Sequence, residues 1–106
     1  MKSVEKVAFI ILILLMHGCT KKQDTWTFAL VPKLLDNPVF QVAHEGALAA
    51  AKELGGGKID IQWTGPVTSD AAQQAQIIES LIEKKVDGIA ISVNDADALK
   101  LSLIHI

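Results

Sequence analysis

The chain alternates short apolar segments with longer amphipathic ones, and this alternation limits the folds open to it. Strand-like segments occupy Thr25–Val31, Lys58–Trp63 and Gly88–Val93, and helical periodicity fills Pro38–Leu54 and the stretch from Thr68 to about Lys85. A helix between successive strands makes them parallel, with right-handed crossovers. The second strand alternates apolar and polar residues, as at a sheet edge, whereas the other two are nearly continuous apolar runs, as in strands buried on both faces. We therefore expect an α/β fold that begins a doubly wound parallel sheet, with the flavodoxin-like order 2-1-3.

The helix ends carry their own signals. Asn37 is a good N-cap and Pro38 suits the first helical position, while the glycines at Gly55–Gly57 stop the first helix. Thr68 or Ser69 is expected to cap the second helix. Three- and four-residue spacing predicts that one stripe of the first helix faces the core. That stripe comprises Phe40, Ala43, Ala47, Ala50, Ala51 and Leu54.

The N-terminus has the pattern of a secretion signal. Met1–Lys6 contains two lysines, and the unbroken apolar run Val7–Met16 follows it. A run this short after a basic start is typical of a signal peptide rather than of a membrane span, so residues 1–18 are expected to be removed. The alternative is a buried N-terminal strand or helix.

Cys19 is the only cysteine, so no intramolecular disulfide is possible. Its position after the apolar run and after the small Gly18 resembles the lipobox of bacterial lipoproteins, although Met16 and His17 fit that motif less well. The resemblance implies that Cys19 receives the lipid and becomes the mature N-terminus, with residues 19–24 as a polar tether. The protein would then lie in the periplasm or on the outer face of the cytoplasmic membrane. Ordinary cleavage nearby and a free thiol are the alternatives.

The charged residues argue against two classes of function. Residues 19–106 hold eight lysines, no arginine and eleven acidic residues, for a net charge of −3, and they contain no basic block, so a nucleic-acid partner is not expected. With His17 in the signal and His105 in the terminal segment, His44 stands alone, and no metal cluster is expected. The sequence also has no nucleophile–base pair and no Gly-rich phosphate loop. We expect a protein that is not an enzyme and needs no cofactor.

Polar and aromatic side chains follow each predicted strand. In doubly wound sheets ligands bind beyond the carboxyl ends of the strands, where the strand order reverses. The pattern therefore predicts a ligand site at this rim, although the same residues could serve only as turns and helix caps. They are Lys33, Asp36, Asn37 and Phe40 after strand one, Thr64, Thr68, Ser69 and Asp70 after strand two, and Ser92, Asn94 and Asp95 after strand three.

Two segments carry a family resemblance. "FALVPKLLDNPVFQVAHEGALAAAKELG" and "GPVTSDAAQQAQIIESLIEKKVDGIAISVNDADAL" resemble the N-terminal lobe of periplasmic sugar-binding proteins, the ribose-type receptors of ABC importers, over about Thr25–Leu99. In that family two α/β lobes close on a monosaccharide, and the receptor delivers it to the membrane subunits of the importer. The resemblance implies that residues 25–100 form part of an N-terminal lobe and that the second lobe is missing here.

The same resemblance implies roles for four residues. Asn37 matches an asparagine that hydrogen-bonds sugar hydroxyls, and Phe40 matches an aromatic residue that stacks on the sugar ring. Lys33 matches a lysine that contacts ligand in the autoinducer-2 receptor. Ser92 stands where ribose receptors have an asparagine, and Val39 where they have a second phenylalanine, so this chain departs from the family at both positions.

The last six residues break the pattern before them. Asn94 or Asp95 should cap a third helix, which has barely begun when "LSLIHI", Leu101–Ile106, follows. These letters resemble the translation of a transposon-end adapter used to prepare sequencing libraries. We therefore expect residues 101–106 to be read-through without function, and the native protein to continue past Lys100. A native apolar terminus is the alternative.

Three other functions remain open on these residues. An autoinducer-2 or rhamnose-type receptor that feeds a signalling or chemotaxis system is the main alternative, and Lys33 favours it slightly. An enzyme on the same fold would need a catalytic group that this sequence does not show. The sensor domain of a repressor would need a DNA-binding motif where this chain has a secretion signal.

Overall fold

The computed structural model describes residues 24–104, which form a three-stranded sheet and three helices. The predictions for residues 1–18, for Cys19 and for the tether up to Gln23 fall outside the described residues. The elements are β1 (Trp26–Val31), α1 (Pro38–Gly55), β2 (Ile59–Trp63), α2 (Ala71–Glu83), β3 (Gly88–Ile91) and α3 (Ala96–Ile104).

The strands lie in the order β2-β1-β3 and all pairs are parallel, so the predicted fold class and strand order are confirmed. Trp26 pairs with Ile59 at one end of β1, and Val31 pairs with Ile91 at the other. Because the strands are parallel and in register, all three carboxyl ends leave the sheet at the same edge. The loops that follow them, residues 32–37, 64–70 and 92–95, form the rim together with Phe40 in the first turn of α1.

The buried core lies on the sheet face covered by α2 and α3. Two residues of β1 point to this face and meet three aliphatic side chains of the helices. The five are Ala29, Val31, Ile78, Leu81 and Leu99, each at most 3% exposed. Full burial of an aliphatic side chain contributes about 1.5–3 kcal/mol, so this cluster is the main source of stability in the described residues.

The opposite face of the sheet carries α1 and is only partly covered. No residue of α1 is buried, and Leu54, predicted to face the core, is 80% exposed. The predicted stripe is therefore wrong in part: Phe40, Ala47 and Ala51 are half-buried, whereas the rest of it is exposed. The physical reason is that α1 packs mainly over β2.

A cavity of about 380 Å³ lies on this face beside β3, between residues of all three strands and α1. Ala90 is exposed there. The prediction that β3 is buried on both faces is therefore wrong, because α1 packs mainly over β2 and covers this side of β3 only in part.

The N-cap of α1 is the one predicted from sequence. Asn37 Oδ1 accepts a hydrogen bond of 3.0 Å from Val39 N–H, and Pro38 is the first helical residue. At the other end Gly56 has φ 52°, a left-handed conformation that suits glycine and ends the helix.

The cap of α2 differs from the prediction. Asp70, rather than Thr68 or Ser69, accepts hydrogen bonds of 2.9 and 3.0 Å from the N–H groups of Ala72 and Gln73. A carboxylate immediately before the first helical residue reaches both of these otherwise unpaired donors and also complements the helix dipole.

The third helix is longer than predicted. Asp95 caps it by accepting from Ala98 N–H at 2.8 Å, as one of the two expected residues, and the helix then runs to Ile104. No glycine or proline interrupts residues 96–104, so nothing in the sequence stops the helix at Lys100. The foreign origin of Leu101–Ile106 stays a prediction. Among residues 24–104 no helix is both long enough and apolar enough to cross a membrane.

Candidate functional site

The loops after β1 and β2 are packed against each other at the rim. Thr64 N–H donates to Leu30 O at 3.3 Å, and Leu35 N–H donates to Pro66 O at 3.0 Å. Gly65 lies so close to the Pro32 ring that a Cβ atom there would be 3.0 Å from the proline Cδ. Backbone of the second loop therefore rests directly on the first.

Asn94 joins three loops of the rim through its side chain. Its Nδ2 donates to Lys33 O at 2.9 Å in the loop after β1. Its Oδ1 accepts from Ser69 Oγ at 2.7 Å in the loop after β2. Asn94 itself follows β3, so one amide side chain connects all three chain segments where the strands end.

Gln74, in α2, holds two of these loops, those after β1 and β3, from beneath. Its Nε2 donates to Pro32 O at 3.1 Å and to Ser92 O at 2.9 Å, and its Oε1 accepts from Asn94 N–H at 2.8 Å. Gln74 is not among the residues predicted from sequence, because it lies within a helix and does not follow a strand. A usable signal was present: Gln74 continues the buried stripe of Ile78 and Leu81 at helical spacing.

Phe40 and Ser92, two of the predicted site residues, line one cavity of about 240 Å³ at the rim end of the sheet face that carries α1. Trp63 lines the same cavity. The backbone of Ser92 is fixed, because its N–H donates to Val31 O at 2.9 Å and its carbonyl accepts from Gln74. Two aromatic residues and one serine are therefore among the residues that border this cavity.

Lys33 and Asn37 lie on the loop after β1 and are not among the residues that line this cavity. The Lys33 side chain is exposed, and its carbonyl accepts the bond from Asn94. Asn37 is half-buried, and its cap bond uses Oδ1, not Nδ2. Capping therefore leaves the amide group of Asn37 able to donate to another partner.

Three further rim residues have structural contacts. Asp70 and Asp95 are helix caps, and Ser69 supports Asn94. Within the described part of the chain, no three His, Cys, Asp or Glu residues are grouped so that they could hold a metal ion. Besides the exposed Asp36, the rim offers hydroxyl, amide, ammonium and aromatic groups, a combination suited to a polar ligand with an apolar face.

Comparison with known proteins identifies the family. A sequence model described as "Periplasmic binding protein domain" matches residues 28–105. The chain belongs to the periplasmic binding protein family. The xylose/arabinose-binding protein XylF of Sulfolobus acidocaldarius is 30% identical to it over 83 residues, which is 78% of this chain and 20% of that protein.

Solved structures of periplasmic binding proteins share the fold. An ABC transporter solute-binding protein from Burkholderia graminis, in complex with D-arabinose, is 35% identical with a TM-score of 0.70, over 80% of this chain and 28% of that one. LsrB from Clostridium saccharobutylicum, in complex with AI-2, is 26% identical with a TM-score of 0.69, over 74% of this chain and 23% of that one. The chain thus spans between a fifth and three tenths of the length of these relatives.

Proposed function

We propose that this chain forms the first part of a two-lobe receptor that binds a monosaccharide for an ABC importer, and that the rim is one wall of the sugar site. The observation that carries the proposal is that the Asn94 side chain hydrogen-bonds to the loops after β1 and β2. These bonds hold candidate ligand groups together at the carboxyl edge of the sheet. Support also comes from two similar proteins, a xylose/arabinose-binding protein and an ABC transporter solute-binding protein in complex with D-arabinose. We call the full-length protein, with both lobes, the two-lobe receptor.

Each candidate residue has a chemical role in this proposal. A sugar presents apolar C–H faces and a belt of hydroxyl groups. Phe40 stacks on a C–H face, a contact that removes its ring from water. The amide nitrogen of Asn37, the ammonium of Lys33 and the hydroxyl of Ser92 hydrogen-bond to sugar hydroxyls, at about 0.5–1.5 kcal/mol for each neutral bond and more for the charged one.

A lipid anchor at Cys19 is part of the same proposal. An importer receptor works outside the cytoplasmic membrane, and the apolar run that ends before Cys19 supports export followed by lipidation. The mature protein is then held to the membrane by lipid, while its receptor domain stays in the periplasm or on the outer face of the cytoplasmic membrane. Its partners are the monosaccharide and the membrane subunits of the importer.

Calorimetric titration of the two-lobe receptor tests the proposal. Xylose, D- and L-arabinose, ribose, allose, glucose and galactose form the panel, and sucrose is the control for a ligand too large for a monosaccharide site. We expect one of the monosaccharides to bind with micromolar affinity or tighter. A folded two-lobe receptor that binds no member of the panel would contradict the proposal.

A second candidate is an autoinducer-2 or rhamnose-type receptor that serves a signalling or chemotaxis system. The exposed Lys33 at the rim and the likeness to LsrB in complex with AI-2 favour it. Titration with AI-2 and with rhamnose separates the two candidates. Binding of AI-2 that is lost in Lys33→Met, with no pentose or hexose bound by the wild type, would favour the signalling receptor.

A further inference from the structure

Gln74 is a polar side chain in the buried stripe of α2. It lies one turn before Ile78, and both residues are 0% exposed. Burying a primary amide destabilises a protein unless its donors and acceptor find partners. The role of this fully buried glutamine therefore follows from the groups to which its side chain hydrogen-bonds.

All three partners of Gln74 are backbone atoms of the rim. Its two donated bonds reach Pro32 O and Ser92 O, and its accepted bond comes from Asn94 N–H. The first partner follows β1 and the other two follow β3. The side chain thus fixes the distance between the two loops, and it does so with a donor pair and an acceptor that only an amide supplies.

Asn94 extends this restraint to the candidate ligand residues. Its backbone is held by Gln74, and its side chain bonds to Lys33 O and Ser69 Oγ. Ser92 is held directly, because Gln74 donates to its carbonyl. Lys33 and Ser92 therefore depend on one buried residue that belongs to neither loop.

We propose that Gln74 is the positioning residue of the rim: it fixes Ser92 directly and Lys33 through Asn94, and does not itself touch the ligand. The inference rests on the proposed function, because it takes these loops to be the sugar-binding loops. Because these loops are already ordered before the ligand arrives, binding does not have to order them. The restraint therefore raises the affinity for the ligand.

Amide hydrogen exchange, followed by NMR on the two-lobe receptor without ligand, tests the link itself. In Gln74→Met the Asn94 N–H loses its acceptor, so its exchange should accelerate relative to that of Ser92 N–H, which donates to Val31 O. Ile78→Ala is the matched control on the same buried stripe, and in it both amides should change together. Equal acceleration of both amides in Gln74→Met would overturn the proposal.

Titration with the sugar that the wild type binds tests the consequence. Gln74→Met should weaken binding about tenfold. Ile78→Ala should keep the affinity within about twofold of the wild type, even if it lowers Tm as much as Gln74→Met does. Wild-type affinity in Gln74→Met, or an equal loss in Ile78→Ala, would overturn the positioning role.

Two further outcomes are covered by the design. If Gln74→Met does not fold, Asn94→Ala replaces it, because this variant keeps the backbone N–H bonded to Gln74 and removes only the contacts to Lys33 and Ser69. Full affinity in Asn94→Ala would overturn the proposal. If the wild type binds no sugar, the proposed function fails, and the exchange experiment still decides whether Gln74 holds the two loops together.

Discussion

His44 of α1 stacks on Trp63 at the end of β2, with ring centroids 4.6 Å apart and planes 9° from parallel. This contact joins the helix to the edge strand on the thinly covered face of the sheet. Trp63 also lines the rim cavity that Phe40 and Ser92 share. The stack therefore links the packing of α1 to the geometry of the candidate site.

Replacing the imidazole should loosen α1. We expect His44→Ala to lower the free energy of unfolding of the two-lobe receptor by about 1 kcal/mol, the usual worth of an aromatic pair beyond its buried area. Glu45→Ala, at the next and exposed position of α1, is the control and should change little. Urea unfolding measures both, and equal stability of the two variants would contradict the importance of the stack.

Two glycines of α1 should respond oppositely to alanine. A Cβ atom on Gly55 would stand 2.6–2.9 Å from the Ile59 side chain, including its Cβ, whereas a Cβ atom on Gly46 would meet nothing within 4 Å. Gly55→Ala must push β2 away from α1 and should destabilise by about 1–3 kcal/mol. Gly46→Ala should stabilise by about 0.5–1 kcal/mol, because alanine loses less backbone entropy in a helix.

Thermal melting of both glycine variants in the two-lobe receptor decides the point. The expected order of Tm is Gly46→Ala above wild type and Gly55→Ala below it. A Gly55→Ala variant as stable as wild type would show that Ile59 is less confined than the structure indicates.

The N-cap of α2 can be tested directly, because the sequence predicted Thr68 or Ser69 and the structure shows Asp70. Asp70→Ala removes the acceptor for two N–H groups and should destabilise by about 1 kcal/mol, whereas Thr68→Ala, at an exposed position that the sequence favoured, should be nearly neutral. Urea unfolding of the two variants checks this. A larger loss in Thr68→Ala than in Asp70→Ala would restore the prediction from sequence.

The sequence predicts well where the signal is local or periodic. The strand order follows from the alternation in β2 and from the helical crossovers, and the Asn37 cap follows from its place before Pro38. Prediction from sequence fails where neighbouring residues suit the same position. Thr68, Ser69 and Asp70 can all cap a helix, and only the path of the chain into α2 selects one of them. The burial of α1 could not be predicted either, because it depends on which other elements cover that face.

The residues of the candidate site also fall into two groups, those that the sequence pattern locates and those that it does not. Residues at strand ends can be located by pattern, so Lys33, Phe40 and Ser92 are found at the rim as expected. Gln74 escapes such an analysis, because an isolated glutamine in a helix is usually exposed and its partners are backbone atoms up to 42 residues away. Only the fold shows that its two donors and one acceptor are all used.

Lipidation of Cys19 is tested by metabolic labelling. Cys19→Ala removes the only cysteine of residues 1–106 and with it the proposed acceptor for the lipid. Bacteria that express the gene with radiolabelled palmitate should label the wild type and not the variant. Label that persists in Cys19→Ala would show that the chain is not lipidated at this position.

Phe40→Ala tests whether the aromatic ring at the rim contacts sugar. Phe40 is half-buried beside Ser92, and its loss should weaken sugar binding by about 1.5–3 kcal/mol, which is roughly tenfold to more than a hundredfold in Kd.

Phe28→Ala is the matched control for this prediction. It deletes the same ring from the same sheet face, but beside β3 in the neighbouring cavity of about 380 Å³. We expect both variants to lower Tm, because each removes apolar contacts, and only Phe40→Ala to change the Kd measured by calorimetric titration of the two-lobe receptor. If Phe40→Ala binds as tightly as Phe28→Ala, the ring of Phe40 packs α1 onto the sheet and takes no part in holding the sugar.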